Sequence, residues 1–199
     1  MRLLVATTNP NKLAEIRSLL GGLDVELCAL GDLAPIAEPE ETGATFEENA
    51  RLKALYYARA SGLPTVAEDS GIEIEALGGA PGVQSARFPG ATYPEKWAEV
   101  YRQLDVRGSP ESAARFVCAL AFVELGVVAF EALGETLGRV ASEPRCTGGF
   151  GYDPIFFYPP LNQTLAELTD VKKAAVSHRG HAFRAFRRYL EEKLQHGPR

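Results

Sequence analysis

The sequence predicts a mixed α/β domain, with strands and helices interleaved early and a β-meander late. Three observations lead there. Short β-rich runs such as Arg2 to Thr7 and Leu63 to Ala67 alternate with segments of helical spacing. Helix-start signals recur at Asn9-Pro10, Thr45/Glu48 and Thr92/Glu95. From Ala114 the texture changes to two long β-type runs, ARFVCALAFVE and VVAFEALGETLGRVA, with Gly126 between them in a hairpin position, as expected of antiparallel strands. At 199 residues the chain suits one substantial core, so residues 1–199 read as a single domain.

Taken in order, Arg2 to Thr7 is a buried strand, followed by a helix with Leu13, Ile16 and Leu20 on one face. Asn9 is its expected N-cap and Pro10 its first residue, where a missing N–H costs nothing. Asp24 to Leu30 is a second strand, and the Pro/Glu-rich interval Asp32 to Gly43 a loop. Thr45 and Glu48 form a capping box for a helix running to about Ser61, with Gly62 as its stop. Leu63 to Ala67 is a strand, Asp69-Ser70-Gly71 a turn closing it, and Gly71 to Ala76 the next strand, alternating Ile72 and Ile74 with Glu73 and Glu75. A helix carrying Trp97, Val100, Tyr101 and Leu104 follows Thr92. Residues 147–160 form a glycine and aromatic loop with a short strand, and a last helix starts near Ser177 with Phe183, Phe186, Leu190 and Leu194 as its stripe.

Composition narrows the function classes. Hydrophobic residues make up 46% and charged residues 24%, an ordinary soluble balance, and no apolar run reaches the roughly 20 residues of a bilayer helix. The N-terminus lacks the apolar core and cleavage site of a secretory signal, so a cytoplasmic protein is expected. Net charge of −5 argues against a broad contact with nucleic acid. Cys28, Cys118 and Cys146 are an odd, widely spaced set, which suits structural thiols better than disulfides or zinc.

Three constellations can carry chemistry. Thr7, Thr8, Asn9 and Lys12 stand at a strand-to-helix junction, where backbone N–H groups and the helix dipole favour an anion, although the paired glycines of a Walker A loop are absent. The plainer reading of Asn9 as a cap and Lys12 as a solvated lysine fits the same segment. Glu41 and Asp69, with Glu68 beside the latter, offer carboxylates from two separate segments, which suits Mg²⁺ when phosphates and water complete its shell, while Lys53 can offset phosphate charge. Glu38, Glu40 and Glu41 read equally well as an acidic surface loop. Phe150, Gly151, Tyr152 and Asp153, with Lys173 and then Ser177, His178 and Arg179, combine a ring that stacks a base with donors that read its edge.

Together, the segments ATTNPNK, EETGATFEENARLKA, AEDSGIEIEALGGAPGVQSAR, GGFGYDPIFF and SHRG, in this order over nearly the whole chain, resemble the inosine triphosphate pyrophosphatase family, the HAM1-like non-canonical purine NTP pyrophosphatases. The resemblance implies an elongated mixed sheet flanked by helices, the fold shared with Maf proteins, with a site in a cleft between two lobes. It implies hydrolysis of ITP, dITP and XTP between the α and β phosphorus, releasing a monophosphate and pyrophosphate, with one or more Mg²⁺ ions per subunit. Carried over by position, Thr7, Thr8, Asn9, Pro10, Asn11 and Lys12 hold the triphosphate with Lys53. Asp69 is general base and metal ligand, Glu41 the other metal ligand, and Ser70 a substrate contact. Phe150 stacks the base with Gly151, Tyr152 and Asp153 beside it, and Lys173, His178 and Arg179 contact base or nucleotide. Lys173 is chosen over Lys172 for its spacing from Ser177. The family expectation is a homodimer, with Gly78 to Arg87 near the contact. A Maf-like enzyme for modified pyrimidine nucleotides is the alternative within enzymes, and a nucleotide sensor without catalysis the alternative outside them. SHRG and FGYDPIFF favour the purine enzyme over the first, and Glu41, Lys53 and Asp69 favour an enzyme over the second.

Overall fold

The helix-start chemistry is realised where local sequence places it. In this computed structural model, which describes residues 1–195, strand β1 (Arg2–Val5) leads into helix α1 (Pro10–Leu20). Asn9 caps α1, its side chain accepting from the N–H groups of Asn11 and Lys12. β2 (Glu26–Ala29) follows, and then α2 (Phe46–Ser61), opened by a reciprocal Thr45/Glu48 capping box and closed by Gly62. β3 (Thr65–Ile74), α3 (Tyr93–Val106), β4 (Ala113–Glu124) and β5 (Val127–Val140) come next. β6 (Phe156–Tyr158), β7 (Gln163–Thr164), α4 (Asp170–Val176) and α5 (His178–Gln195) complete the described chain.

The strands form one mixed seven-stranded sheet of order β2-β1-β3-β4-β5-β6-β7. β1 runs parallel to β2 and β3, with Leu4 opposite Cys28 and Val5 opposite Val66, whereas β5, β6 and β7 pair antiparallel. Leu125 and Gly126, at φ 51° and 78°, join β4 to β5 in the left-handed conformation of a two-residue hairpin loop. The mixed α/β expectation and the antiparallel meander are thus borne out.

Two compact units divide the chain. The first comprises Met1–Asp69, Cys118–Gly134 and the chain from Arg179, and the second Ser70–Val117 and Glu135–His178. Each has its own core. In the first, Leu3, Val5 and Val66 pack with Ile16 and Leu20 of α1, Phe122 of β4, and Phe183, Phe186 and Leu190 of α5. Burying each such side chain contributes roughly 1.5–3 kcal/mol, so the α5 stripe ties that helix firmly. Leu194, expected to extend the stripe, is 37% exposed at the end of the helix. In the second unit Ile72, Ile74, Val100, Leu104, Phe116, Ile155 and Phe156 form the core. No helix among the described residues is long and apolar enough to cross a membrane.

One expectation is corrected. Asp69-Ser70-Gly71 is no turn: β3 runs unbroken from Thr65 to Ile74, so both acids sit in mid-strand. Turn propensity is a local preference, and tertiary partners override it here. The N–H of Ile72, just past the expected turn, is held by Ser85 Oγ at 3.0 Å, and both acids find counter-charges that only the folded chain supplies. Helix α4, only seven residues long, is too short to display a helical period in the sequence.

Candidate active site

Because Glu68 and Asp69 are successive residues of a strand, the pleat directs them to opposite faces. Asp69 meets α2. The capping box starts that helix so that Asn49 and Lys53, four residues apart, share a face. Lys53 Nζ donates to Asp69 Oδ1 at 2.9 Å and to Glu41 Oε1 at 2.7 Å. Asn49, 1% exposed, donates from Nδ2 to Asp69 Oδ2 at 3.2 Å and accepts on Oδ1 from the Gly43 N–H at 2.8 Å. One amide thereby clips the loop bearing Glu41 to the strand bearing Asp69. Gly43 is needed for this close approach, since a β-carbon there would lie 2.6 Å from Asn49 Oδ1 and 2.7 Å from Glu48 Cβ.

The charges of this group follow from who faces whom. Burial pushes the Asp69 carboxyl above its ordinary range; Lys53 pulls it down, but Glu41 and Glu68 add to the upward push. Burial would lower Lys53, yet Asp69, Glu68 and Glu41 hold its ammonium above the usual lysine value. One cation serving several anions is stabilised in its charge more than any one of those anions is.

Glu68 faces the other way, toward α1 and α5. Lys12 Nζ lies 2.7 Å from Glu68 Oε1, and Arg179 Nη2 approaches both carboxylate oxygens at 3.4 and 3.5 Å. Arg179 Nη1 donates to Glu15 Oε2 at 2.7 Å, and the Cys118 thiol donates to Glu68 Oε2 at 3.3 Å. Although burial alone would raise it, the charges of Arg179 and Lys12 hold Glu68 well below the carboxylate range. The same burial, with Glu68 nearby, pushes the Cys118 thiol well up, so it stays protonated.

The junction at Thr7 to Lys12 is more committed than an open anion site. Asn9 Oδ1 occupies the N–H groups of Asn11 (2.9 Å) and Lys12 (3.2 Å), Thr7 Oγ1 accepts from the Asn9 N–H at 3.2 Å, and Pro10 has none to give. What this segment offers a phosphate is the exposed Thr8, the half-buried Thr7 hydroxyl and the Lys12 ammonium beside Glu68.

In the second unit, the segment from Phe150 to Asp153 forms a tight loop. Asp153, 3% exposed, accepts from the Phe150 N–H at 2.8 Å and from Lys173 Nζ at 2.6 Å. That ammonium also stands 4.5 Å from the centroid of the half-buried Phe150 ring. Lys172, by contrast, is exposed. Tyr152 is buried and donates its hydroxyl to the Ser85 carbonyl at 2.9 Å, so it anchors the loop from beneath. His178, 4% exposed, stacks on Phe116 with centroids 4.6 Å apart. Ser70 is half-buried in β3 immediately after Asp69. The structure therefore gathers Glu41, Lys53 and Asp69 into one group and Phe150, Asp153 and Lys173 into another. It assigns the adjacent residues His178 and Arg179 to different surroundings.

A family model described as the Ham1 family matches residues 3–189. The chain belongs to the Ham1 family. A Gloeobacter violaceus protein named dITP/XTP pyrophosphatase is 48% identical over 183 residues, covering 92% of this chain and 90% of that one. A Thermus thermophilus protein of the same name is 44% identical over 201 residues, covering 100% of this chain and 94% of its own. The solved structure of a HAM1 protein from Coxiella burnetii superposes with a TM-score of 0.87 at 38% identity, covering 96% of this chain and 99% of that one.

Two residues of this Ham1 chain's site escaped sequence reasoning. Asn49 lies inside a helix, where asparagine is a poor helix former, and that misfit with the helical pattern was its signal. Glu15 had none, because a half-buried acid on an amphipathic helix reads as solvated. Glu41 and Asp69 are hard oxygen donors directed at one cationic group, a donor set that fits Mg²⁺ with its remaining ligands from phosphate and water. Among the described residues no group of three or more His, Cys, Asp or Glu is arranged to hold a metal ion by itself, here or elsewhere.

Proposed function

We propose that this chain hydrolyses non-canonical purine nucleoside triphosphates, ITP, dITP and XTP, to the monophosphate and pyrophosphate, and so cleanses the nucleotide pool. The observation that carries the reading is the Asp69 carboxylate, held on both oxygens by Lys53 and Asn49 with Glu41 on the same ammonium. The names of the two relatives agree with it.

Thr7, Thr8, Asn9, Pro10, Asn11 and Lys12, with Lys53, are assigned to the triphosphate, and Ser70 to a substrate contact. Asp69 takes a proton from the attacking water as the new P–O bond forms and the bond bridging the α and β phosphorus breaks. Glu41 and Asp69 would hold Mg²⁺, one or more ions per subunit, which when bound supplies neutralisation of phosphate charge and a more acidic water. Phe150 stacks the base, supported by Gly151, Tyr152 and Asp153. Lys173 and His178 are assigned to the base edge, and Arg179 to the nucleotide through the cluster it shares with Glu68 and Lys12. Donors at that edge suit a 6-keto oxygen, and a 6-amino group would leave them unmatched at about 1–3 kcal/mol each. We assign residues 1–199 to a single pyrophosphatase domain, working in the cytoplasm as a homodimer without nucleic-acid or membrane partners. Light scattering checks the dimer.

The deciding experiment offers ITP, XTP, dITP, GTP, ATP and dUTP with Mg²⁺ and identifies the products. Inosine monophosphate with pyrophosphate is expected from ITP, at a rate well above that for ATP. Orthophosphate with a diphosphate product, or a preference for dUTP, would overturn the assignment. A pH profile adds a second check. Since burial raises the Asp69 carboxyl, its base form is lost as pH falls through a value above the ordinary aspartate figure of about 3.9. Titrated by NMR without metal, the Asp69 carboxyl should accordingly lie above that figure and move down when Mg²⁺ is added, and a metal-free value below it would contradict the raised carboxyl.

A further inference from the structure

The loop carrying Phe150 is held from α3 by contacts that the proposed chemistry does not use. Trp97 Nε1 donates to the Gly151 carbonyl at 3.0 Å. One turn earlier, Tyr93 meets the Tyr152 ring edge-on, with centroids 5.5 Å apart and planes at 86°. Gly151 is left-handed, at φ 66°, and a β-carbon on it would come within 3.8 Å of the Tyr93 ring. Tyr93 is itself held by the buried Lys96, which stands 5.0 Å from its centroid and donates to the Ala86 carbonyl at 2.6 Å. Phe150 therefore hangs between two fixed points, its own N–H on Asp153 and the next residue's carbonyl on Trp97. An aromatic platform selects among bases only if its plane is held, because stacking by itself accepts any base.

We propose that Trp97, supported by Tyr93, is a positioning residue for base selection: its indole N–H, by fixing the Gly151 carbonyl, sets the placement of the Phe150 ring. This rests on the reading of Phe150 as the base platform. It goes beyond that reading by assigning specificity to the first two turns of α3.

Trp97 is the sole tryptophan of the chain, so its fluorescence reports on this brace directly. In the wild-type protein, inosine monophosphate should change Trp97 emission, while inorganic tripolyphosphate, which has no base, should leave it unchanged. Trp97→Phe keeps the ring but removes the donor. It should lower kcat/KM for ITP about tenfold, mostly through KM, and narrow the preference for ITP over ATP, as expected when one positioning hydrogen bond is lost. Tripolyphosphate affinity, measured by calorimetry, should not move. An unchanged ITP-to-ATP ratio in a folded Trp97→Phe, or equal emission responses to inosine monophosphate and tripolyphosphate, overturns the proposal. The titration of the wild-type protein decides the matter even if the variant does not fold. Failure of the wild type to release pyrophosphate from any purine triphosphate would instead refute the proposed function.

Discussion

Asp69→Asn should lower pyrophosphate release from ITP by about a thousandfold or more while leaving the protein folded and able to bind nucleotide, since a positioned general base contributes roughly 10² to 10⁴ in rate. The substitution is nearly isosteric, and its effect on the fold is the sum of two opposed terms. An asparagine has one acceptor where the aspartate has two, and Lys53 and Asn49 both donate to this side chain. Asn49 cannot simply rotate its amide to compensate, because its oxygen accepts from the Gly43 N–H. One hydrogen bond is therefore lost, about 1 kcal/mol. Against this, the raised Asp69 carboxyl means that the folded state binds its proton more tightly than the unfolded chain does, so ionised Asp69 opposes folding at neutral pH. Removing the charge relieves that cost. The melting temperature should stay close to wild type, and calorimetry with inosine monophosphate should register binding. A purified Asp69→Asn enzyme retaining near-normal release with ITP and Mg²⁺ would eliminate Asp69 as the base.

The difference between what was legible and what was not lies in the range of the interactions. Helix starts could be read because their chemistry closes within four residues: Asn9 accepts from Asn11 and Lys12, Thr45 from Glu48, and Thr92 from Glu95. The Leu125-Gly126 hairpin and the α5 stripe at Phe183, Phe186 and Leu190 are similarly local. Asp69-Ser70-Gly71 reads locally as a turn, whereas the reasons for its extended conformation are remote. Arg179 reaches Glu68 from 111 residues away and Lys53 reaches Asp69 from 16, and a local window contains neither pairing. The groups formed by Glu41, Lys53 and Asp69 and by Phe150, Asp153 and Lys173 were legible as chemistry, whereas the pairing of Glu68 with Lys12 and Arg179 was not. Asn9 reads as part of an anion site or as a cap with equal ease, and the cap is the role its Oδ1 hydrogen bonds to Asn11 and Lys12 display. Tyr152 reads as part of the wall beside Phe150, and no local pattern reveals that its hydroxyl donates to the carbonyl of the distant Ser85.

Glu68→Ala should strongly destabilise the first unit, by about 3–5 kcal/mol, because it leaves buried charge without its partner. Lys12 and Arg179 balance Glu68 and Glu15 in this cluster, and without Glu68 it carries an excess positive charge beside a guanidinium only 2% exposed. Glu68→Gln should cost less, since an amide still accepts from Lys12 or Arg179 and fills the space. Urea denaturation measures both. The pH dependence identifies the cause. Arg179 and Lys12 hold the Glu68 carboxyl well below its unfolded value of about 4.3, so its contribution is complete above that pH and disappears as pH falls toward the folded value. The stability gap between wild type and Glu68→Gln should therefore be constant near neutrality and shrink on acidification. A gap that persisted unchanged into strong acid would mean that Glu68 acts through packing, with its charge irrelevant. Asp69, the next residue of the same strand, is shifted in the opposite direction. It is buried less completely but faces one cation and a second carboxylate, whereas Glu68 faces two cations. The pleat of β3 thus separates an acid held in its charged form by Lys12 and Arg179 from an acid whose carboxyl burial pushes up.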